Sequence, residues 1–539
     1  MNHKRNVFAV VFICLLLLSA SACGSAEAPA SDEGAAEPSS ADVSAEAPAA
    51  RQIDVLRLAG GSDWGAPNPF LHTTRGPGST KMEHVFDSLL QSGTEGLIGW
   101  LAESYDISDD GLTYTFVLHD GATWHDGAPV TADDVAFTID YYREHPNSGG
   151  QLGTSENFLV DAYNVVDSRT IEISVKAGKV TNTDNLGRFP IIPKHIWENV
   201  DDPIAYEGED RFVGCGMYRF VSYDAATGSY AFEAFEDYYG HTAGAKAIHY
   251  VPTSDAVLAF SNGDIAVTDV PADLYERYRA EEGIAMLAKP DEMGYKLLLN
   301  LNAVPAFRDI EMRRALYMAL DRQAMVDAVF RGMGHVASAG YVPQTNPNYT
   351  DEVEKYDYDP DAARAALEPL KLSLTLTGGT DTNDNGTQVL AEQIKMNLEA
   401  AGMEVKVEIF DTLVRDEMVA NGEYQLAINY HGGWNSEPVS MLSMMYGSNG
   451  ASKWVSAGYD NEALPEMVQN LQFLLNQQEL KAAYKDVQVL ISRDLPNLPL
   501  ITQVSYAMYR PAEYDCWKAP YNSTQFENSR ISYSLDTDL

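Results

Sequence analysis

Trp100-Leu-Ala-Glu-Ser-Tyr105 runs into Ser108-Asp-Asp-Gly111, then Leu112-Thr-Tyr-Thr-Phe-Val-Leu118, Trp124-His-Asp-Gly127 and Pro129-Val-Thr-Ala-Asp-Asp-Val135. Each piece has a physical reading. Asp109-Asp110-Gly111 is turn chemistry, and the alternation after it fits a half-buried strand. His125-Asp126-Gly127 reads as a second reversal, since glycine accepts the positive φ of tight turns and no third metal ligand stands nearby in sequence. Thr131, with Asp134 three residues on and Pro129 before it, has the form of a capped start for a helix over Ala132 to Tyr142. Strands and helices in this succession predict an α/β protein.

The same signals continue outward. Ile171-Glu-Ile-Ser-Val175 alternates like a strand. Asp309 is placed to cap a helix whose apolar positions Met312, Ala315, Leu316, Ala319 and Leu320 follow helical spacing, with Arg313, Arg314 and Asp321 off that stripe. Leu372 to Leu376, Val389 to Ala401 closed by Gly402, and Val405 to Ile409 form a βαβ unit. A comparable unit, with a helix near Leu464 to Leu475, precedes the apolar segment Leu498 to Tyr509. No short repeat suggests a solenoid.

Composition narrows the function. A chain of 539 residues with 45% apolar and 21% charged side chains can bury a large core and build more than one domain. Its 37 basic and 78 acidic residues give a formal charge of −41, which repels nucleic acid and anionic lipid surfaces. Four cysteines are too few for a disulfide framework, and no C-x-x-C or H-E-x-x-H run offers a metal site. Neither a Gly-x-Ser-x-Gly elbow nor a Ser-x-x-Lys set is present, so the chain does not read as an enzyme and implies no cofactor.

Lys4 and Arg5 precede the apolar stretch Val7 to Leu18, then Ser19-Ala-Ser-Ala22 and Cys23. This is the layout of an export signal, too short to span a bilayer. It resembles a bacterial lipoprotein leader, residues 1–22, with Cys23 as the lipidated residue. Removing the leader takes away Lys4 and Arg5 and no acid, so −41 becomes −43. Residues 23–52 then form a lipidated cysteine and an acidic Gly, Ala, Ser and Pro linker, whose composition cannot repay its ordering entropy. The expected location is outside the cell, lipid-anchored to the outer face of the membrane or periplasmic.

The opening stretch, followed in order by Ile191-Ile-Pro-Lys-His-Ile-Trp197, Val213-Gly-Cys-Gly-Met-Tyr-Arg-Phe220, Asn262-Gly-Asp264, Asp309 through Asp321-Arg322 and Tyr358-Asp-Pro360, closely resembles the family 5 extracellular solute-binding proteins of ABC transporters. The resemblance runs from about residue 53 to 510. It implies a two-lobed periplasmic-binding-protein-like fold of type II with an additional domain and a ligand cleft between the lobes. On that template lobe I gathers 53–80, 185–290 and 490–539, the additional domain is 81–184, and lobe II is 291–489. Gly214 and Gly216 read as residues that shape the backbone, because the spacing of a phosphate cradle is missing. Cys215 and Cys516 both fall in lobe I, where an oxidising exterior permits them to pair.

In peptide-binding members an aspartate of lobe II receives the peptide's amino group. The matching segment here is Tyr430-His-Gly-Gly-Trp-Asn-Ser-Glu-Pro438, which puts Trp434 at that position. Expected ligand residues are therefore His431, Gly433, Trp434, Asn435 and Glu437 on this wall, with Trp434 alternatively a core residue beside the hinge. Ser62, Asp63 and Trp64 stand on the opposite wall, and Tyr341 on a loop of the third segment. Asp381-x-Asn383-x-Asn385-Gly386 with Glu392 matches the oxygen spacing of a calcium loop, but a strand precedes it where a helix belongs, and a polar turn capping the next helix explains the same residues. The implied function is a monomeric receptor that binds a peptide and delivers it to an ABC permease and its ATPase. A metal chelate, an opine or a sugar as ligand, or sensing in place of import, stays open.

Overall fold

Alternation in the opening stretch becomes structure directly. In the computed structural model, which describes residues 51–60, 65–71, 81–146, 150–380, 386–432, 438–447, 455–521 and 526–539, Thr113–Leu118 is a strand that buries Tyr114, Phe116 and Leu118. It pairs antiparallel with Ala102–Ile107 and Thr170–Val175, and Val160–Val165 completes a four-stranded sheet. The expected helix spans Ala132–Glu144, and the Thr131 N–H and hydroxyl both donate to Asp134 Oδ2, at 2.9 and 3.0 Å. The second oxygen of Asp134 accepts from the Lys194 N–H at 3.0 Å, so the cap also pins the Ile191–Trp197 segment.

A second sheet has the order Ile53–Gly60, Ala245–Pro252, Ser229–Ala234, Tyr218–Asp224, its first pair parallel and the rest antiparallel. One continuous apolar core joins this sheet to the four-stranded one, from Leu56 through Phe116 to Tyr533. Around Leu297, Leu316, Leu376 and Ile428 lies a separate core, under a seven-stranded sheet. Here the βαβ unit appears as Ser373–Thr380, the helix Gly386–Ala400 and Glu404–Asp411, with parallel register from Ser373↔Glu404 to Thr380↔Asp411. Leu426–Gly432 runs parallel on the other side of Ser373–Thr380.

Two strands of this sheet are long, Ala285–Leu299 with 15 residues and Leu498–Tyr509 with 12. At about 3.4 Å per residue they reach roughly 50 and 40 Å. Their antiparallel ladder runs from one core to the other: Ala507 belongs to the first, while Leu297, Leu299, Leu498 and Ile501 belong to the second. The result is two α/β bodies joined by crossing strands, with the antiparallel sheet around Thr113–Leu118 as an addition to the first. The ladder slips between Lys289 and Met293, where the facing strand advances only from Ser505 to Gln503.

Several expectations need correction. Arg313 is 7% exposed despite lying off the apolar stripe, because its guanidinium donates to the carbonyls of Phe307, Arg308 and Asp494. The helix placed near Leu464 to Leu475 ends at Leu471, and a separate helix, Gln477–Asp494, starts after Asn476, whose side chain accepts from Gln478 and Glu479. Cys215 and Cys516 are not paired; both thiols are free and buried, serving as small apolar side chains of the first core. Gly214 and Gly216 do shape the backbone, since a β-carbon there would lie 1.9 Å from the Val85 carbonyl oxygen and 2.4 Å from that of His84. His125 bonds the same segment, its ring nitrogens meeting Gly216 O at 2.9 Å and the Gly214 N–H at 3.3 Å.

Candidate functional site

In open sheets with parallel strands, ligands gather where the strands end at their carboxyl side, because loops there are free to vary and backbone groups are unspent. Both bodies offer such an edge. In the first, the parallel pair ends at Gly60 and Pro252; a β-carbon on Gly60 would stand 3.0 Å from the Val251 carbonyl oxygen and 3.1 Å from that of Gly228, so the strand exits through a gap that suits glycine. Ser62, Asp63 and Trp64 follow it and lie outside the described residues. In the second body the parallel strands end at Thr380, Asp411 and Gly432.

His431 is the last residue but one of Leu426–Gly432, paired with Gly294 of the crossing strand, which also faces Thr502 of the other crossing strand. Gly433, Trp434, Asn435 and Glu437 lie outside the described residues, as do Asp381, Asn383 and Asn385 of the calcium pattern, while Glu392 is exposed on its helix. Among the described residues no group of three or more His, Cys, Asp or Glu is placed to hold a metal ion.

Tyr341 is 3% exposed and holds a positive φ of 78°. Lys296 Nζ donates to its hydroxyl at 3.0 Å and lies 3.7 Å from Met445 Sδ, and Tyr446 meets the Tyr341 ring edge-on at 5.7 Å. Lys296 sits on the crossing strand opposite Asn429 and is fully buried. Burial, and then the charge of Arg415, hold its pKa well below the usual lysine range. Arg415, 2% exposed, is carried by the helix Thr412–Ala420, which begins as the strand Glu404–Asp411 ends. Its guanidinium donates to Ile428 O at 2.5 Å, lies 3.0 Å from Asp416 and faces the Tyr430 ring at 6.0 Å. Gly379 makes room for it, since a β-carbon there would come within 3.2 Å of the arginine.

The second body therefore carries one interior cation, Arg415, and one buried amine, Lys296, under the parallel strands of a strongly acidic chain. Its first counterpart holds another: Lys81, 2% exposed, with its ammonium 4.6 Å from the ring centres of both Tyr230 and Tyr250. Burial brings its pKa down to about 8. Tyr230 in turn donates to Gly65 O at 3.0 Å, bracing the first described residue after Ser62, Asp63 and Trp64. Sequence reading missed all three buried basic side chains. Lys296 alone left a trace, as a single charge inside the apolar run Tyr295-Lys-Leu-Leu-Leu299.

Two α/β bodies on a pair of crossing strands, each with parallel strands ending at one edge of its sheet, have the architecture of a hinged solute-binding protein. A model of bacterial extracellular solute-binding proteins, family 5 Middle, matches residues 96–453, and the chain belongs to that family. It is 26% identical over 502 residues to Di/tripeptide-binding protein 1 of Pseudomonas aeruginosa, covering 85% of this chain and 91% of that one. Heme-binding protein A of Haemophilus influenzae is 25% identical over 476 residues, with 82% and 86% covered. The solved ABC transporter substrate-binding protein CtaP of Listeria monocytogenes superposes with a TM-score of 0.72 at 24% identity, over 90% of this chain and 100% of that one. The family binds solutes outside the cytoplasm and is not an enzyme family. No helix among the described residues is long and apolar enough to cross a membrane.

Proposed function

We propose that this chain is the exported receptor of an ABC importer, anchored through a lipid on Cys23, and that it captures a short peptide between its two bodies and hands it to a permease driven by a separate ATPase. Residues 53–80, 185–290 and 490–539 form the first lobe in this reading, 81–184 the additional domain and 291–489 the second lobe. The receptor acts as a monomer and performs no chemistry on its cargo. Ligand contacts with both lobes favour the closed form, and the permease engages that form.

The observation that carries the peptide reading is the buried Arg415 guanidinium, with the buried Lys296 amine, held against the strand Leu426–Gly432 of the seven-stranded sheet, which leads in sequence to Gly433–Glu437. A peptide has a carboxylate to offer such a site, and buried guanidinium groups favour planar anions. The names of the relatives that match most of the chain include a di/tripeptide binder. Trp434, standing where peptide-binding members have their amine-anchoring aspartate, favours a second reading, a flat non-peptide ligand stacked on its ring; one relative is named for heme.

Mass spectrometry of what co-purifies with the protein, followed by titration calorimetry with a tripeptide library in free and carboxyl-amidated form, separates the two. Peptides should bind, and amidation should weaken them at least about tenfold, since a charged hydrogen bond contributes roughly 1.5–3 kcal/mol. Recovery of a chelate or a planar cofactor, with no heat from any peptide, would replace the peptide by the second reading.

A further inference from the structure

The antiparallel sheet around Thr113–Leu118 is continued by a segment that touches the second body far along the chain from Ser62–Trp64 and Gly433–Glu437. The Val180 N–H donates to the Gln472 carbonyl at 2.9 Å, and the Lys179 ammonium lies 5.8 Å from the centre of the Phe473 ring. Leu475 rests on two glycines: a β-carbon on Gly111 would stand 2.3 Å from its Cδ1, and one on Gly178 would stand 3.1 Å from the same methyl. Gln472 to Leu475 is the link between two helices of a cluster that also holds Tyr341 and Tyr446, and Val180 packs against that cluster.

Gly111 and Gly178 flank strands whose side chains belong to the first core, while Tyr341 is bonded to Lys296 of the second body. Rotation about the slipped ladder at Lys289 and Met293 must therefore make or break this contact. Its composition suits reversal. Leu475 and Phe473 remain 38% and 48% exposed, so separation uncovers a limited apolar area and one main-chain hydrogen bond that water can replace.

We propose that the Gln472–Leu475 link, seated on Gly111, Gly178 and Val180, is a closure latch that sets how much of the unliganded protein is already closed. The proposal rests on the two-body clamp described above. Because apparent affinity scales with the fraction that is competent to bind, such a latch changes affinity for every ligand by one factor and leaves preference among ligands untouched. A residue that lines the ligand site changes the preference itself.

The test compares full-length mature protein with Leu475→Ala and Leu475→Asp, and with Val221→Ala, an exposed apolar change elsewhere, as control. Bound solute is removed by unfolding, dialysis and refolding, and thermal melting checks that each variant is folded. Small-angle scattering of the free proteins should give a larger radius of gyration for both Leu475 variants and an unchanged one for the control. Calorimetry with the tripeptide library should then show all binding peptides weakened by a common factor of about five to twenty. Equal radii for wild type and both variants would overturn the latch, as would losses that differ from peptide to peptide. If neither wild type nor the Leu475 variants contract with any peptide, the peptide-clamp reading fails, while the comparison of free proteins still decides the latch.

Discussion

Lys289 holds Asp269 at 2.6 Å at the point where the crossing strand Ala285–Leu299 loses register with its partner, and Glu527 closes on the same ammonium at 3.0 Å. The lysine is 4% exposed, and the two carboxylates come from a short edge strand and from the C-terminal segment. One buried cation thus ties three parts of the chain together beside the hinge.

That cation predicts a high-pH signature. Burial opposes its charge, but the carboxylates of Glu527 and Asp269 outweigh burial and raise its pKa above the ordinary 10.5. A raised lysine stabilises the fold in full below the unfolded value and loses that contribution as pH climbs through the folded one. Between pH 9.5 and 11.5 the melting temperature of wild type should therefore fall more steeply than that of Lys289→Met, measured by calorimetry. Parallel curves would remove the ion pairs from the account of stability.

A second buried centre should be far more sensitive to single changes. Asp87 is fully buried and accepts from Trp100 Nε1 at 3.0 Å, from the Tyr238 hydroxyl at 2.8 Å and from the Tyr239 hydroxyl at 2.6 Å, with Arg530 Nε at 3.5 Å. Asp87→Asn keeps the volume and leaves the Arg530 guanidinium without its carboxylate. Stability should drop by about 3–5 kcal/mol, and Asp87→Asn with Arg530→Met should cost less than the two single changes added together. Urea unfolding measures both. A loss below about 1 kcal/mol for Asp87→Asn would mean that the charge pair contributes little.

Two histidines, His84 buried and His125 half-buried, set the response to mild acid. Burial brings the pKa of His84 down to about 3, with the charges of Lys81 and Arg530 adding to the effect, and burial likewise brings His125 to about 4. The folded state keeps both neutral while the unfolded chain protonates near 6.5, so stability is full above that value and is lost as pH falls toward the folded values. Each group contributes a slope approaching about 1.4 kcal/mol per pH unit. Between pH 7.5 and 5 wild type should lose stability, and His84→Gln should lose about half as much. An unchanged slope in that variant would assign the acid sensitivity to other groups.

Local sequence carried most of the first body. The Thr113–Leu118 alternation, the Thr131 and Asp134 pairing and the His125 turn all depend on neighbours within a few residues, and their burial follows the pattern. The motifs that carry the family resemblance then turn out to be braces between segments: Asp134 reaches Lys194, and His125 reaches Gly214 and Gly216. What stayed illegible was long-range. Arg313 looks solvent-bound until the carbonyl of Asp494 arrives 181 residues later, and Arg415 is ordinary in sequence until Ile428 and Tyr430 close around it. No periodicity encodes a partner that distant. The proposed ligand segments rest on resemblance alone, because glycines, tryptophans and polar residues between elements carry no pattern of their own.

Gly214 and Gly216 offer the sharpest test of motifs as braces. A β-carbon on Gly214 would lie 1.9 Å from the Val85 carbonyl oxygen, and on both glycines the obstacle is backbone, which cannot swing aside like a flexible side chain. That backbone is itself fixed, since the Gly216 N–H donates to Val85 O at 2.8 Å and the Tyr218 N–H donates to His84 O at 3.1 Å. Relief must come by pulling the Val213–Phe220 segment off the core that holds Cys215, Met217 and Tyr218. Gly214→Ala should thus destabilise by about 3 kcal/mol or more, at the upper end of overpacking changes. Gly96→Ala, where a β-carbon meets nothing within 4 Å, should stay within about 0.5 kcal/mol of wild type. If the two alanine variants melt together, the glycines of this motif are not there to let two backbones touch, and some contact with ligand or permease must account for them.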